Sequence, residues 1–491
     1  MSVGAVWFKR DLRLSDHEPL ITALREHARV ILFYVFEEEY WRLPSKSFRQ
    51  WSFFYDCIRS LQEEVAKRQG TVLTFTSSLE EVLMKLGREM PLTALYAHEE
   101  TGEDWTYQRD IRVRDFCQKA QITFQEFPTN GVVRHLKSRD EWTAIHQRRM
   151  EKPVEAQPID LHQTRISLDG DILPKPESFP DYFSGEKTQK GGLAEGKKVL
   201  KSFLEERGER YLKNIANPSA FMSSSRLSAF LSAGVFSIKQ VFCALQKAQI
   251  EAPSVWFRKN LAAFSSRLYW RCHFIQKLED EPELEFHAMH RGCDTLRKQD
   301  PSSEKLQAWK EGRTGYPLID ACMRCLKMHG WLPFRMRAMV MSFASYHLWI
   351  DWRDSYPILG ALFTDYEPGI HILQSQMQSG VTGINAFRMY NPVKQSQDHD
   401  PKGIFIKEFV PELRALPEEA IHEPWNIPPF IRIAENILLP PLYEYPIVDH
   451  KKAIKFARQA FKELTHQPSF EEEQKRVYLK HGSRKKRTNM R

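Results

Sequence analysis

The sequence predicts a parallel, doubly wound α/β domain followed by an all-helical region. Three observations carry that expectation. Within residues 1–130, five short apolar runs alternate with amphipathic segments. From about residue 196 onward the apolar residues recur at helical spacing, broken by loops containing Pro and Gly. At 491 residues the chain is also too long for one ordinary core.

Taken in order, the runs GAVWF, VILFYVF, TVLTF, LTALYA and ITFQEF read as strands. Between them lie HEPLITALRE, FFYDCIRSLQEEVAKR, LEEVLMKLG and RDIRVRDFCQKA, which read as helices. Strand and helix in turn make a parallel sheet, whose ligands sit beyond the strand C-termini. No GxGxxG follows the first run; WFKRDLRLSD stands in its place, so the standard dinucleotide fingerprint is absent. Residues 131–195 are rich in charge, Pro and Gly, and HQRRMEKPVEAQP and SGEKTQKGG predict a long surface connector. Residues 196–480 predict a helical domain, and 481–491 (HGSRKKRTNMR) a basic tail able to touch phosphate.

Hydrophobic content of 42% and charged content of 27% describe a globular protein. The net charge of +8 permits a polyanionic partner without requiring one. Aromatics at 12%, with 12 Trp, serve either a core or stacking surfaces. No stretch of about twenty apolar residues is present, so no membrane span is expected. MSVGAVWFKRDLRLSD reaches charged residues too early for a secretory signal, and the odd number of Cys, 7, fits free thiols. A cytoplasmic protein is the expectation. Cys322 and Cys325 form a CxxC inside a helical run with no second pair, so buried thiols are expected. His287, His290 and Cys293 have ligand-like spacing but no fourth partner, and no metal is expected.

The stretch Thr314–Trp352 poses a question. Its apolar pattern is helical, yet Arg324, Arg335 and Arg337 fall inside it. An unpaired buried cation is costly, so the pattern predicts an anion. Asp365 and Glu367 bracket a turn and offer carboxylates. Upstream, Ser223, Ser224, Ser225 and Arg226 stand at the apparent start of a helix, where hydroxyls and free N–H groups suit a phosphate; an ordinary Ser cap is the alternative. Trp270 and Arg271 are neighbours in an amphipathic helix, a pairing that stacks on planar rings or simply divides between core and surface.

Six segments in order, VWFKRDLRLSDHEPL, SSRLSAFLSAGVFS, GRTGYPLIDACMR, GWLPFRMR, WIDWR and FRMYNPVKQSQDHDPKGIFIKEFVPEL, resemble the photolyase/cryptochrome family. The resemblance implies a Rossmann-like antenna domain and an all-α domain binding FAD. It also implies a monomer that repairs UV-damaged DNA, with excited reduced FAD giving an electron to a flipped cyclobutane pyrimidine dimer. The alternative it implies is a cryptochrome-type blue-light photoreceptor. By position, Tyr211, Ser224, Ser225, Arg226, Leu227 and Ser228 correspond to residues that hold the FAD phosphates. Arg271 corresponds to a flavin-side arginine, Arg337 and Asp365 to an ion pair beside the isoalloxazine, and Glu367 to a carboxylate near the adenine and flavin edge, with Tyr366 between the two acids. Trp270 corresponds to the lesion-stacking tryptophan; Phe334, Arg335 and Gln395 share the DNA side, and Trp352 is the middle member of an electron relay.

Departures from the family pattern carry their own expectations. The Trp-Gln-Trp element reads Leu373, Gln374, Ser375, and the distal relay Trp has only Trp309 nearby, so Trp349, Tyr346 or Tyr366 are candidate substitutes. Gly369 and His371 are both candidates to face flavin N5. A glutamate near Trp270 reads Arg267, and an asparagine before Arg335 reads Phe334. The Asn-Glu pair of folate-binding members reads Trp105 and Thr106, which argues against a folate and leaves a deazaflavin, a flavin or an empty pocket for the second antenna chromophore. Cys325 is the last cysteine, so the iron–sulfur cluster of one branch is not expected.

Overall fold

The structure, a computed structural model, describes residues 2–129, 131–178, 189–385 and 387–482. Five strands, β1 (Val3–Phe8), β2 (Arg29–Val35), β3 (Val72–Phe75), β4 (Leu92–His98) and β5 (Thr123–Phe127), form one sheet in the order β3-β2-β1-β4-β5. Every pair is parallel. Helices Glu18–Glu26, Phe48–Ala66, Leu79–Glu89 and Asp104–Lys119 supply the crossovers. The strand order reverses between β1 and β4, so the crevice beyond their C-termini is the topological switch point.

Alternation along β1 explains what covers the sheet. Val3, Ala5 and Trp7 pack with the Leu79–Glu89 and Asp104–Lys119 side chains. Val6 and Phe8 point the other way, into a core that includes Phe230, Phe236 and Leu261 from the helical half. The helical half therefore seals one face of the sheet, and the switch point opens onto it. A further core, built around Trp309, Tyr346, Trp352 and Tyr443, belongs to the helical half alone.

Local chemistry sets the helices. Ser254 caps the 26-residue helix Val255–Asp280 by accepting from the Phe257 N–H. Pro317 opens Pro317–His329 at its first turn, and Gly330 ends it in the left-handed region at φ 64°. Pro333 then precedes Phe334–Ser342, which widens into a π-helical turn over Phe343–His347. Trp352–Leu362 and Pro368–Ser379 follow, and Asp365, Tyr366 and Glu367 form the junction between them.

Two expectations are corrected. Part of the connector is packed: Trp142–Glu151 is a helix whose Trp142, His146 and Met150 are buried, and Trp142 Nε1 donates to Gly131 O at 2.9 Å. Its anchors recur every four residues, a spacing masked by the charges between them. The serines before Arg226 do not open a long helix. Ser224 is extended, Arg226 is left-handed at φ 59°, and only the five-residue helix Ser228–Ser232 follows. Residues 179–188, which include Ser184–Thr188 of SGEKTQKGG, and the tail from 483 to 491 lie outside the described residues. Among the described residues, no helix is long and apolar enough to cross a membrane.

Candidate functional site

The junction Asp365–Tyr366–Glu367 organises the site, because its two acids collect arginines from opposite directions. On one side, Arg337 Nη1 and Nη2 donate to Asp365 Oδ1 and Oδ2 at 3.0 and 2.8 Å. Arg337 Nε donates to Leu332 O at 2.7 Å, and the guanidinium lies 4.0 Å from the Phe363 ring centroid. The planar fork is thus fixed at all its edges. Burial pushes the Asp365 carboxyl upward, but Arg337, Ser228 and Arg226 outweigh it and hold it below the usual carboxylate range.

Arg226 completes this cluster. Its guanidinium sits 4.4 Å from the Trp331 ring centroid, and its Nη1 is buried without a partner. Burial lowers its pKa to about 10, with Asp365 opposing and Arg337 adding to the fall. Two guanidiniums therefore share one carboxylate, which leaves a net positive cluster with an unused donor. Arg324 is different: it pairs with Glu412 at 2.8 Å and donates to Gly312 O, and calls for no further anion.

On the other side, Glu367 Oε2 accepts from Arg271 Nη2 and from Arg10 Nη2, each at 2.6 Å. Glu367 Oε1 and Arg271 Nε are buried without partners. Burial opposes ionisation of Glu367, and the two arginines prevail and hold its pKa below the ordinary value. Tyr366 turns the opposite way; its hydroxyl donates to Glu103 Oε1 at 2.9 Å, and Lys46 Nζ meets Glu103 Oε2 at 2.5 Å.

Aromatic side chains lead away from the junction. His371 lies with its ring centroid 5.3 Å from Tyr366 and 6.2 Å from Tyr356, and Tyr356 is 5.4 Å from Trp352. His371 Nε2 is 2.7 Å from Tyr356 O, and burial lowers its pKa to about 4, so the ring is neutral. The neighbouring Leu373 is core, and Trp309 donates to Val340 O at 3.1 Å. Tyr346 and Trp349 instead surround Arg297, a buried guanidinium 4.5 Å from the Trp349 ring centroid.

A third group stands at the rim. Arg335 Nη1 donates to the Tyr390 hydroxyl at 3.1 Å, and Phe334 beside it is 51% exposed. Gln395 Oε1 is buried without a partner. Trp270 packs against His273 and Phe274 at 5.1 and 5.9 Å. Among the described residues, no ring contact or hydrogen bond joins Trp270 to Arg335. Tyr211 is buried and bonded to Arg267.

The sequence-predicted residues thus fall into linked sets. Arg226, Ser228, Arg337 and Asp365 meet in one, and Arg271 and Glu367 in a second. Arg10, Ser232, Glu103 and Lys46 were not singled out from the sequence. The available signal for Arg10 was its place just past the first strand, where ligands of parallel sheets gather.

Among the described residues, Asp11, His17 and His98 bring ligand atoms within 4.8 Å of one another, and the histidines singled out from the sequence have protein partners. His290 Nε2 is spent on Phe470 O and His287 on Asp294. Asp11 Oδ2 lies 2.6 Å from His98 Nδ1 and 3.0 Å from His17 Nε2. His17 Nδ1 accepts the Leu20 N–H, so its proton rests on Nε2, the nitrogen facing Asp11. A protonated nitrogen is not a ligand.

The unmatched atoms form a test of what the site could hold. Arg226 Nη1 calls for an anion, Glu367 Oε1 for an N–H donor, and Arg271 Nε for an acceptor. A nucleotide with a pyrophosphate and a nitrogen heterocycle offers all three, and FAD fits that description.

The fold and these arginine–carboxylate sets define a nucleotide-binding protein whose helical half meets the sheet at its switch point. Residues 5–141 match the family model described as DNA photolyase, and 264–463 match the FAD binding domain of DNA photolyase. The deoxyribodipyrimidine photo-lyase of Alkalihalophilus pseudofirmus is 26% identical over 94% of this chain and 98% of its own. The cryptochrome DASH of Gloeobacter violaceus is 27% identical over 90% and 92%. Among solved structures, a class III photolyase from Agrobacterium tumefaciens shares the fold with a TM-score of 0.82 at 23% identity, over 95% of this chain and 98% of that one. The Synechocystis cryptochrome does so with 0.83 at 22%, over 94% and 99%. The chain belongs to the photolyase/cryptochrome family, and FAD is its cofactor.

Proposed function

We propose that this protein repairs UV-damaged DNA in a light-driven reaction on cyclobutane pyrimidine dimers. The observation that carries the reading lies on one helix. Arg337 points inward to Asp365, while Arg335, two residues away and so about 200° round the helix, points to the rim beside exposed Phe334. One rigid element thereby spans the flavin side and the DNA side.

When bound and reduced, FAD would supply the light-driven, reversible electron transfer that splitting of the cyclobutane ring needs. The chain's residues bind, orient and set the electrostatics. Arg226, with Tyr211, Ser224, Ser225, Leu227 and Ser228, holds the pyrophosphate end; Arg337, Asp365, Arg271 and Glu367 hold the ring end. Arg337 favours negative charge on the reduced ring in a water-poor setting. Photolyases are among the enzymes that flip their target out of the stack, at a cost of a few kcal/mol that is least for damaged pairs. Stacking on Trp270 returns about 1–3 kcal/mol. Arg335 and Gln395 meet the strand, and the net charge of +8 adds salt-sensitive attraction. Protein carrying reduced FAD should restore dimer-containing DNA under blue light and leave it unchanged in darkness.

A second reading, a blue-light photoreceptor, is favoured by Leu373, Gln374 and Ser375 where the family has its Trp-Gln-Trp element. It expects a light-driven change of flavin state with no loss of dimers, and the same assay separates the two.

A further inference from the structure

We propose that Arg10 is a positioning residue for the cofactor: from the α/β domain it turns Glu367 so that Oε1 meets an N–H of the bound nucleotide's ring. The inference rests on the FAD-bound reading and adds a residue from the other half of the molecule.

Arg10 follows β1 by two residues, at the switch point. Its guanidinium reaches across to the helical half in three places. Nε donates to Ser232 O at 3.1 Å, and Nη2 to Ser232 Oγ at 3.2 Å and Glu367 Oε2 at 2.6 Å. Ser232 Oγ in turn donates to Tyr366 O at 2.7 Å, so Arg10 grips the junction through its backbone and its acid together. Gly234 makes the approach possible. At φ +70° its position has no room for a Cβ, which would lie 2.1 Å from Arg10 O.

The result is an asymmetric carboxylate. Both arginines donate to Oε2, and Oε1 is left buried and bare. A bare buried carboxylate oxygen is costly unless a donor reaches it. The neighbouring cations and histidine are committed elsewhere. Lys9 Nζ meets Asp110 at 2.8 Å, and His98 Nδ1 meets Asp11 at 2.6 Å. Glu100 is taken by Arg109 at 2.5 Å, and Arg271 already holds Oε2. With no protein donor to Oε1 among the described residues, that place is assigned to the ligand, whose ring N–H can donate to the carboxylate where a phosphate would be repelled. With Arg226 and its unused Nη1 in the cluster around Asp365, the nucleotide is oriented: its anionic part lies toward Arg226 and its ring N–H toward Glu367.

The test titrates FAD into flavin-free full-length protein in the dark, across pH 8 to 4, and reads the dissociation constant by fluorescence quenching. In Arg10→Met, Glu367 loses one of two cations that offset its burial, so its protonation moves upward. The affinity loss on acidification should then set in at least about one pH unit higher than in wild type, with binding at pH 7 weakened about tenfold. Arg10→Lys should restore the wild-type onset in large part, and Glu367→Gln should remove that step from the profile. A role confined to holding the domains together would lower affinity by one factor at every pH. An Arg10→Met profile parallel to wild type overturns the proposal, as does a Glu367→Gln profile that keeps the step. Wild-type protein that binds no FAD at any pH overturns the cofactor reading itself, and this inference with it. Far-UV circular dichroism at each pH identifies an unfolded variant; if Arg10→Met is one, the Arg10→Lys and Glu367→Gln profiles decide.

Discussion

The guanidinium of Arg337 and the carboxylate of Asp365 meet through two near-parallel hydrogen bonds across 28 residues of sequence. Asp365 is 7% exposed, so removing its partner strands a charge where water does not reach it. Breaking a buried pair in this way costs about 3–5 kcal/mol. Arg226 remains nearby and offsets part of that loss. Arg337→Ala should therefore unfold at markedly lower urea, and Asp365→Asn, which leaves Arg337 and Arg226 without their shared carboxylate, should be at least as harmful. Redox titration of the FAD-loaded variants should show reduced flavin disfavoured in Arg337→Ala.

Under the proposed function, DNA contact would fall to two kinds of residue. Trp270 offers a ring, so Trp270→Ala should lower affinity for dimer-containing DNA by about 1–3 kcal/mol with normal flavin content. Arg335 offers a charge at the rim. Arg335→Ala should weaken binding to damaged and intact DNA alike and reduce the salt slope by about one. Filter binding at several salt concentrations reads both, and an unchanged salt slope in Arg335→Ala would remove Arg335 from the interface.

The aromatic series Tyr366, His371, Tyr356 and Trp352 runs from the junction into the core with centroid separations of 5.3, 6.2 and 5.4 Å. Trp349 has a different setting, with the Arg297 guanidinium 4.5 Å from its ring centroid. A cation so close disfavours a positively charged oxidised indole. Trp352→Phe should therefore slow photoreduction of oxidised flavin by external reductant under blue light, and Trp349→Phe should have a much smaller effect. Transient absorption after a laser flash measures each. Equal slowing in both variants would place Trp349 in the electron path.

What the sequence disclosed follows physical range. Strands β1 to β4 were legible as mostly apolar runs, as buried parallel strands are, the edge strand β5 (TFQEF) by its aromatic residues among polar ones, and Pro317, Gly330 and Pro333 marked helix ends by backbone chemistry alone. Arg337 was legible as one of three cations out of place in an apolar stripe and Asp365 as one of two acids near a turn, and their pairing followed from the family resemblance. Arg10 was not, because nothing local distinguishes it from Lys9 or Arg13. Its meaning comes from Glu367, which is 357 residues away in sequence. The helix Trp142–Glu151 was hidden because Arg148, Arg149 and Glu151 equal its three buried anchors in number and blur the apolar spacing.

Acid stability follows from histidines kept neutral by burial. Burial lowers His98 and His347 to about 3, and His146 and His371 to about 4, against 6.5 ordinarily. Below pH 6.5 the unfolded chain takes up protons at these sites while the folded chain does not. Stability is therefore complete above that value and is lost as pH falls toward each folded pKa. Each site steepens the loss by at most about 1.4 kcal/mol per pH unit. Asp365 and Glu367, held below their ordinary values by arginines, and Asp11, held below by His17 and His98, add to the loss at still lower pH. His146 isolates one such term, since its Nε2 is buried without a partner and no acid faces it. Urea unfolding of the flavin-free protein at pH 7, 6 and 5 should show a steep decline in wild type. In His146→Gln the decline should be shallower by about 1 kcal/mol per pH unit; identical slopes would mean that His146 takes up its proton as readily in the folded protein as in the unfolded chain and contributes nothing to acid lability.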